Sequence, residues 1–380
     1  MTSEEVSAHY NAVPQQKIED RENSRIFYMR NMNNWLKAQL ITDISQRLKR
    51  ARTPRPRVLD IACGKGGDLR KWQNAFVSSA VFADVADVSI EQAKGRYDEG
   101  QERARGQGKF PAQFIVADCT KELLAEKYDD PTPFDLVSCQ FALHYSFISE
   151  QGARTFLTNC TERLRPGGYF IGTLPDANRI VWAARQGNGE FKNSVCSIKY
   201  SNPKEILNGA TPPLFGAEFH FTLDEQVNCP EFLCHFPLLV QMLEELDMEL
   251  VMHMPFPDAI NHYKNAPDGL QMMDRMRALE LYPKDKPSGG PDDYEKAAAY
   301  QKMFECFKLG TLSLPEWEAV SMYLVFVFKK KGSPEPPKEA ANGHSEQASQ
   351  PDADGDGAEV EASSEVELDD PVATKRAKHE

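Results

Sequence analysis

The sequence lacks long hydrophobic runs, an excess of basic residues, and cysteines at zinc-binding spacing. Its longest notable apolar stretch, residues 322–328, is far shorter than the ~18 residues of a membrane-spanning helix. Residues 1–10 are acidic and polar, whereas a secretory signal is basic and then apolar, so we expect an intracellular protein. The eight cysteines form no CxxC pair or Cys/His cluster, which fits a reducing compartment and predicts no metal site.

The negative charge of the chain is concentrated near its C-terminal end. The chain has 57 Asp and Glu against 44 Lys and Arg, a formal net charge of -13, whereas proteins that coat nucleic acid are normally basic. Residues 332–380 hold 13 acids and 4 bases, so -9 of this charge belongs to them and only -4 to residues 1–331. They contain no aromatic residue, Ile or Met and cannot bury enough apolar surface to offset their ordering entropy. We predict a folded domain over residues 1–331 and a disordered acidic tail over residues 332–380.

Between residues 57 and 175, short β-branched runs alternate with helical stretches. This alternation is typical of βαβ units and predicts an α/β fold with a doubly wound parallel sheet as the core half. Apolar residues at helical spacing in 19–49 predict N-terminal helices, and two strand-like segments in 185–229 predict a β-rich insertion. The segments FPLLVQMLEEL, MELVMHMPF and SMYLVFVFKK then predict a helix and two strands that complete the sheet. We assign to the core the following residues: Trp72, Trp182, Met272, Met273 and Met276.

A glycine-rich segment, DIACGKGGD at residues 60–68, follows the first predicted strand. Its glycines allow a tight turn and a close approach of a ligand to the backbone. Asp84 ends the second strand 20 positions after Gly64, where an acid in such folds binds a ribose, and Asp118 at the end of the third strand is placed to receive an adenine amino group. A dinucleotide fingerprint would need glycine in place of Leu69, and no P-loop is present. The pattern favours a nucleoside cofactor without pyrophosphate, commonly S-adenosylmethionine, although each acid alone could be a helix cap or a solvated strand end.

Several blocks of the sequence together resemble the eukaryotic mRNA cap guanine-N7 methyltransferases, which are Rossmann-like class I S-adenosylmethionine-dependent enzymes. The resemblance covers residues 7–330, and the glycine loop alone would be weak evidence because many methyltransferases share it. The blocks are HYN at 9–11, SRIFYMRNMNNWLK at 24–37, VLDIACGKGGDLRKW at 58–72, ADVS at 86–89, SCQFALHYSF at 138–147, RPGGYFIG at 165–172, PEFL at 230–233 and EWEAVSMYLVF at 316–326.

This resemblance implies methyl transfer from S-adenosylmethionine to N7 of the cap guanosine, with S-adenosylhomocysteine as product. It places these residues at the cofactor: Lys37, Ala62, Asp84, Asp118, Gln140 and Tyr145. It places these at the cap: Asn33, Asn34, Lys65, Asp68, Lys71, Arg96, His144, Glu231 and Tyr323. One departure is Ala62, because relatives usually have glycine there, and its methyl group is expected to weaken cofactor binding somewhat. Guanine N7 carries an in-plane lone pair, so the reaction needs no catalytic base.

Other interpretations of these residues stay open at this point. The three basic cap residues could be solvated surface charges, Tyr323 could belong to the core, and His144 could be a satisfied core histidine. An enzyme with another methyl acceptor, and a non-catalytic adaptor that retains the fold, are alternative functions. The resemblance implies a nuclear protein that acts on capped nascent mRNA beside RNA guanylyltransferase and RNA polymerase II. The basic cluster TKRAKHE at 374–380 is either a nuclear-import signal or a solvated tail end.

Overall fold

A computed structural model describes residues 5, 8, 11, 22–104, 108–224, 227–305 and 307–332. The predicted acidic tail, apart from residue 332, and the cluster at 374–380 lie outside the described residues, so both stay predictions. No described helix is long and apolar enough to cross a membrane.

The centre of the fold is a seven-stranded sheet in the order β10-β13-β5-β4-β1-β2-β3. Neighbouring strands among β1 to β5 pair in parallel, whereas β13 pairs antiparallel with both β5 and β10. The order reverses between β1 and β4, which is where ligands bind in open α/β sheets. The strands are β1 Arg57–Ile61, β2 Ser79–Asp84, β3 Ala112–Val116, β4 Phe134–Gln140, β5 Leu164–Pro175, β10 Met248–Pro255 and β13 Tyr323–Lys330.

Helices pack around this sheet, and the predicted α/β class is confirmed. All five residues of β1 are buried, as expected of a strand covered on both faces. The 24-residue helix α1 buries a long apolar stripe that includes Trp35, Leu40 and Leu48, so the predicted N-terminal helix is present. The helices are α1 Phe27–Arg50, α2 Leu69–Asn74, α3 Asp87–Arg103, α4 Glu150–Thr161, α5 Ala177–Gln186, α6 Phe236–Glu244, α7 Phe256–Lys264, α8 Gly269–Arg275, α9 Glu295–Phe304 and α10 Leu314–Val320.

A second, four-stranded antiparallel sheet follows α5 in the chain. Its order is β6-β7-β8-β9, and β7 and β8 correspond to the two strand-like segments of the predicted insertion. The sheet ends at Phe232, so Glu231 lies on its last strand. The strands are β6 Glu190–Lys192, β7 Cys196–Tyr200, β8 Glu218–Leu223 and β9 Val227–Phe232. Further along the chain, β11 Glu280–Tyr282 and β12 Leu309–Thr311 form a two-stranded antiparallel sheet.

The assignment of Trp182 to the core is wrong. Trp72 is fully buried, but the Trp182 side chain is 59% exposed. Helix α5 buries Ile180, Val181 and Ala184, and Trp182 lies about 100° round the helix from Val181, on the polar side. Of the three methionines, Met273 is buried, and Met272 and Met276 pack partly against the core.

Candidate active site

The loop after β1 is shaped by glycines in the left-handed region of backbone space. Gly64 has φ +53° and Gly66 has φ +70°. A Cβ atom on Gly66 would lie 2.6 Å from Cδ1 of Leu69 and 3.1 Å from Cβ of Ala93, and the positive φ would strain any L-residue there, so glycine is favoured. The carboxylate of Asp84 holds this loop, because it accepts hydrogen bonds from Gly64 N at 2.8 Å and from Ala86 N at 2.9 Å. Burial nevertheless raises the pKa of Asp84.

A cavity of about 290 Å³ lies beside this loop, at the carboxyl ends of β1, β2 and β4. The six residues that the resemblance assigns to the cofactor all line it. Its lining also combines an ammonium group with several carboxylates, which suits the charged amino-acid end, the ribose and the adenine of S-adenosylmethionine. The predicted lining residues are Lys37, Ala62, Asp84, Asp118, Gln140 and Tyr145.

Two polar residues of the cavity wall, Asp118 after β3 and Gln140 at the end of β4, are held by hydrogen bonds to neighbouring residues. Thr120 donates to Asp118 Oδ1 through its hydroxyl at 2.6 Å and its backbone N at 3.1 Å, and Lys121 Nζ lies 3.1 Å from Oδ2. Gln140 donates from Nε2 to Ser138 Oγ at 3.0 Å and accepts from Thr173 Oγ1 at 3.2 Å. These contacts settle the orientation of both side chains before a ligand binds.

Asp68 joins the predicted cofactor and cap residues. Its buried carboxylate lies 2.9 Å from Lys37 Nζ and 2.6 Å from Lys71 Nζ. Burial opposes ionisation of Asp68, but the two ammonium groups outweigh it and hold its pKa well below the ordinary value. Lys71 also donates to Asn34 Oδ1 at 3.2 Å, while burial lowers its own pKa. Asn33, one residue earlier, has a buried Oδ1 without a hydrogen-bond partner among the described residues.

Lys65 and Arg96 form a second basic pair, with Lys65 in the glycine loop and Arg96 on α3. Arg96 donates from Nη1 to the Lys65 backbone oxygen at 2.7 Å. Burial and the charge of Arg96 lower the pKa of Lys65. The structure thus places basic groups within and beside the glycine loop, which suits a polyphosphate.

Two predicted cap residues, His144 and Glu231, lie against the cofactor residue Tyr145, and we call these three residues the Glu231 cluster. His144 Nε2 lies 3.3 Å from Glu231 Oε2, and the Tyr145 hydroxyl lies 3.3 Å from Glu231 Oε1. The His144 and Tyr145 rings are 4.3 Å apart. Tyr323 packs edge-on against Phe141, with ring centroids 5.1 Å apart, and Phe141 lines the cavity. Because Tyr145 also lines the cavity, the Glu231 cluster adjoins the predicted cofactor site.

Comparison with known proteins adds to this geometry. Residues 1–331 match the mRNA (guanine-N(7))-methyltransferase domain. An mRNA cap guanine-N(7) methyltransferase of Caenorhabditis elegans is 56% identical over 88% of this chain and 88% of its own. The chain belongs to the mRNA (guanine-N(7))-methyltransferase family. The Drosophila melanogaster enzyme of that name is 40% identical over 86% of this chain and 76% of its own. A solved S-adenosylmethionine-dependent methyltransferase of Clostridium acetobutylicum aligns with a TM-score of 0.43 at 9% identity, over 79% of this chain and 92% of that one.

Family membership confirms the predicted activity. The protein is a cap guanine-N7 methyltransferase that uses S-adenosylmethionine as the methyl donor and capped mRNA as the substrate. The predicted cofactor residues and Asp68 line one cavity. Four predicted cap residues contact residues of that lining: Lys71, His144, Glu231 and Tyr323. The alternatives of another acceptor and of a non-catalytic adaptor are correspondingly disfavoured.

The methyltransferase site contains residues that the sequence analysis missed. Asp60 is buried in β1, lines the cavity and accepts a hydrogen bond from Trp72 Nε1 at 2.8 Å. Burial, and then the charge of Asp68, raises the pKa of Asp60 to about 7. A charged residue inside the apolar strand RVLDI was a signal that could have identified it. Cys229, whose Sγ lies 3.4 Å from the Tyr145 hydroxyl, carried no comparable signal.

Ala62 adopts a conformation that glycine would adopt more easily. Its φ of +54° lies in the left-handed region, and it borders the cavity of this methyltransferase. An L-residue is strained there because its Cβ crowds the backbone. The expected effect of Ala62 therefore has a structural basis in the backbone as well as in the added methyl group.

Proposed function

We propose that the cavity binds S-adenosylmethionine with its methionine carboxylate at Lys37, its ribose at Asp84 and its adenine at Asp118. The Asp84 carboxylate already accepts two backbone N–H groups, and its remaining lone pairs can accept ribose hydroxyls. Ala62, Gln140 and Tyr145 complete the wall. The bound cofactor supplies a methyl group on a positively charged sulfur.

The cap guanine binds next to this cavity at the Glu231 cluster. A carboxylate beside a purine can accept hydrogen bonds from N1–H and the exocyclic amine of guanine, which adenine cannot offer in the same pattern. Its charge also favours the cationic N7-methyl product. The observation that carries this step is the 3.3 Å contact between Glu231 and the Tyr145 hydroxyl, because Tyr145 belongs to the cavity wall. His144 and Tyr323 supply rings that orient the base.

The triphosphate bridge of the cap runs along the glycine loop. Lys65 lies in this loop, Lys71 follows it on α2, and Arg96 of α3 donates to the Lys65 backbone oxygen. Asp68 fixes Lys71 and Lys37 at hydrogen-bond distance and so positions two cations with one carboxylate. Asn33 and Asn34 lie on the adjoining turn of α1.

Catalysis consists of positioning. Guanine N7 attacks with a lone pair that needs no deprotonation, so no residue serves as a general base. Holding reactants in line can contribute about 7 to 11 kcal/mol at the upper end. The preorganised dipoles around the buried Glu231 add electrostatic stabilisation because they need no reorganisation during transfer. We further propose that the enzyme binds RNA in the nucleus, beside RNA guanylyltransferase and RNA polymerase II.

The assignment is tested by methyl transfer with labelled S-adenosylmethionine in the wild type and in Glu231→Gln. The substitution keeps the shape of the side chain but removes its charge and one acceptor. We expect a large loss of transfer to GpppG with an unchanged dissociation constant for S-adenosylhomocysteine. A parallel loss of both would show that Glu231 supports the cofactor cavity and does not select guanine.

A further inference from the structure

A buried asparagine on helix α4 holds the loop that carries Asp118. Asn159 lies near the end of α4, and its side chain is only 1% exposed. Its Nδ2 donates to the backbone oxygens of Cys119 at 3.0 Å and Glu122 at 2.8 Å, while its Oδ1 accepts from Leu124 N at 2.7 Å. One side chain thus satisfies three backbone groups of a single short segment, and its loss would leave these groups unpaired.

This segment, residues 117–124, follows β3 and forms part of the cavity wall; we call it the β3 loop. Ala117 N donates to Asp84 O at 3.0 Å, so β2 fixes the beginning of the loop. Two later N–H groups return to the Asp118 oxygen at 2.8 and 2.9 Å and close a turn. Asn159 then ties the rest of this turn to α4. The β3 loop contributes four residues to the cavity lining: Ala117, Asp118, Cys119 and Thr120.

Helix α4 also contributes to the cavity directly. Phe156 lines the cavity, is 4% exposed, and lies on the same helix face as Asn159, three residues earlier. The chain enters α4 from the segment that holds Tyr145, and Ser149 caps the helix by accepting from Gly152 N at 3.1 Å. Because α4 is held beside the cavity in this way, it can fix the position of the β3 loop relative to a bound cofactor.

We propose that Asn159 is a positioning residue for recognition of the adenine of S-adenosylmethionine. It holds the β3 loop at three points and thereby keeps the Asp118 carboxylate where it accepts the adenine amino group. The inference rests on the proposed function, because it takes the adenine to lie at Asp118. Asn159 acts through the loop and not through contact with the cofactor. Discrimination against a purine without that amino group should therefore depend on Asn159.

The affinities of two ligands test this role. S-inosylhomocysteine has an oxygen in place of the adenine amino group of S-adenosylhomocysteine, so it cannot donate a hydrogen bond there. In calorimetry we expect the wild type to bind S-adenosylhomocysteine roughly ten- to hundredfold more tightly, the range for one hydrogen bond to a charged group. In Asn159→Asp this ratio of dissociation constants should fall towards one. The new carboxylate can still accept from Leu124 N, but it cannot donate to the two carbonyl oxygens.

Kinetics separate this role from a general loss of structure. In Asn159→Asp the KM for S-adenosylmethionine should rise roughly tenfold, whereas kcat and the KM for capped RNA should stay unchanged. The matched control is Asn193→Ala. Asn193 lies between β6 and β7, and its Oδ1 likewise accepts from two backbone groups, Val195 N and Cys196 N, both at 2.9 Å. This control should lower the urea midpoint of unfolding and leave the ratio of dissociation constants unchanged.

Two results would overturn the inference. One is an Asn159→Asp protein that unfolds at lower urea concentration but keeps the wild-type ratio, because the asparagine would then be structural only. The other is failure of both Asn159→Asp and Asn159→Ala to fold, which would assign Asn159 to stability alone.

Asp118→Ala distinguishes this inference from the proposed function. That substitution should remove the discrimination by itself, and Asn159→Asp added to it should change the ratio no further. If Asp118→Ala keeps the wild-type ratio, the adenine does not lie at Asp118, and the proposed placement of the cofactor fails together with the inference. If Asp118→Ala removes the discrimination and Asn159→Asp does not reduce it, only the role of Asn159 is wrong.

Discussion

Replacing Ala62 with glycine should make this methyltransferase more stable, although alanine-to-glycine changes normally destabilise. The φ of Ala62 is +54°, a conformation in which an L-residue is strained by about 1 to 2 kcal/mol. Glycine also increases the conformational entropy of the unfolded chain, which lowers the free energy of unfolding by about 0.4 to 1 kcal/mol. The difference predicts a net gain of roughly 0.5 to 1 kcal/mol in the free energy of unfolding.

Ala142→Gly is the matched control for this change. Ala142 also lines the cavity, but its φ is -135°, which alanine adopts without strain. The free energy of unfolding of Ala142→Gly should fall by roughly 0.5 to 1 kcal/mol. A gain of 1 kcal/mol shifts Tm by only ~1 °C in a folded unit of this size, so urea unfolding is the better assay.

Calorimetric titration with S-adenosylhomocysteine completes the test. The methyl group of Ala62 borders the cavity, so its removal should also lower the dissociation constant. If Ala62→Gly destabilises the protein as much as Ala142→Gly does, the reasoning about backbone strain is refuted.

Three further predictions concern acids of the site. Asp84→Ala should abolish S-adenosylmethionine binding in calorimetry while the protein stays folded by circular dichroism; normal affinity would contradict the ribose role. Glu231→Ala should lose the discrimination between acceptors whose terminal cap base is guanine and acceptors whose terminal cap base is adenine. Its affinity for the cofactor should be nearly unchanged. Because burial raises the pKa of Asp60 from 3.8 to about 7, the wild type loses stability as pH rises through this interval. Asp60→Asn should remove that dependence, so its stability relative to wild type should increase from pH 4 to pH 7; a constant difference would show that Asp60 titrates normally.

The alternating strands and helices were predictable because they depend on local pattern. A strand such as RVLDI is apolar throughout since both its faces are covered, and helix α1 repeats apolar residues at helical spacing. The exposure of Trp182 could have been predicted in the same way. Three residues on its side of helix α5 are polar, namely Asn178, Arg185 and Gln186, so helical periodicity places Trp182 away from the buried face.

Some features of the site follow from local sequence, and others depend on contacts between distant parts of the chain. Glycines and strand-end acids identified the cofactor side because chain position alone brings them to one edge of the sheet. The contact of Glu231 with Tyr145 joins residues 86 positions apart and depends on how the second sheet packs on the first. The burial of Asp60 and the left-handed backbone of Ala62 likewise arise from packing and turn geometry, which one sequence does not specify.

The central claim is that this cavity and the Glu231 cluster together direct the methyl group to guanine N7. The most direct measurement is incubation of the wild type with labelled S-adenosylmethionine and GpppG-capped, GpppA-capped or uncapped RNA, followed by nuclease digestion and mapping of the label. We expect label on N7 of the cap guanosine in both capped RNAs and none in uncapped RNA. Label on a ribose 2′-oxygen or an internal base would contradict it.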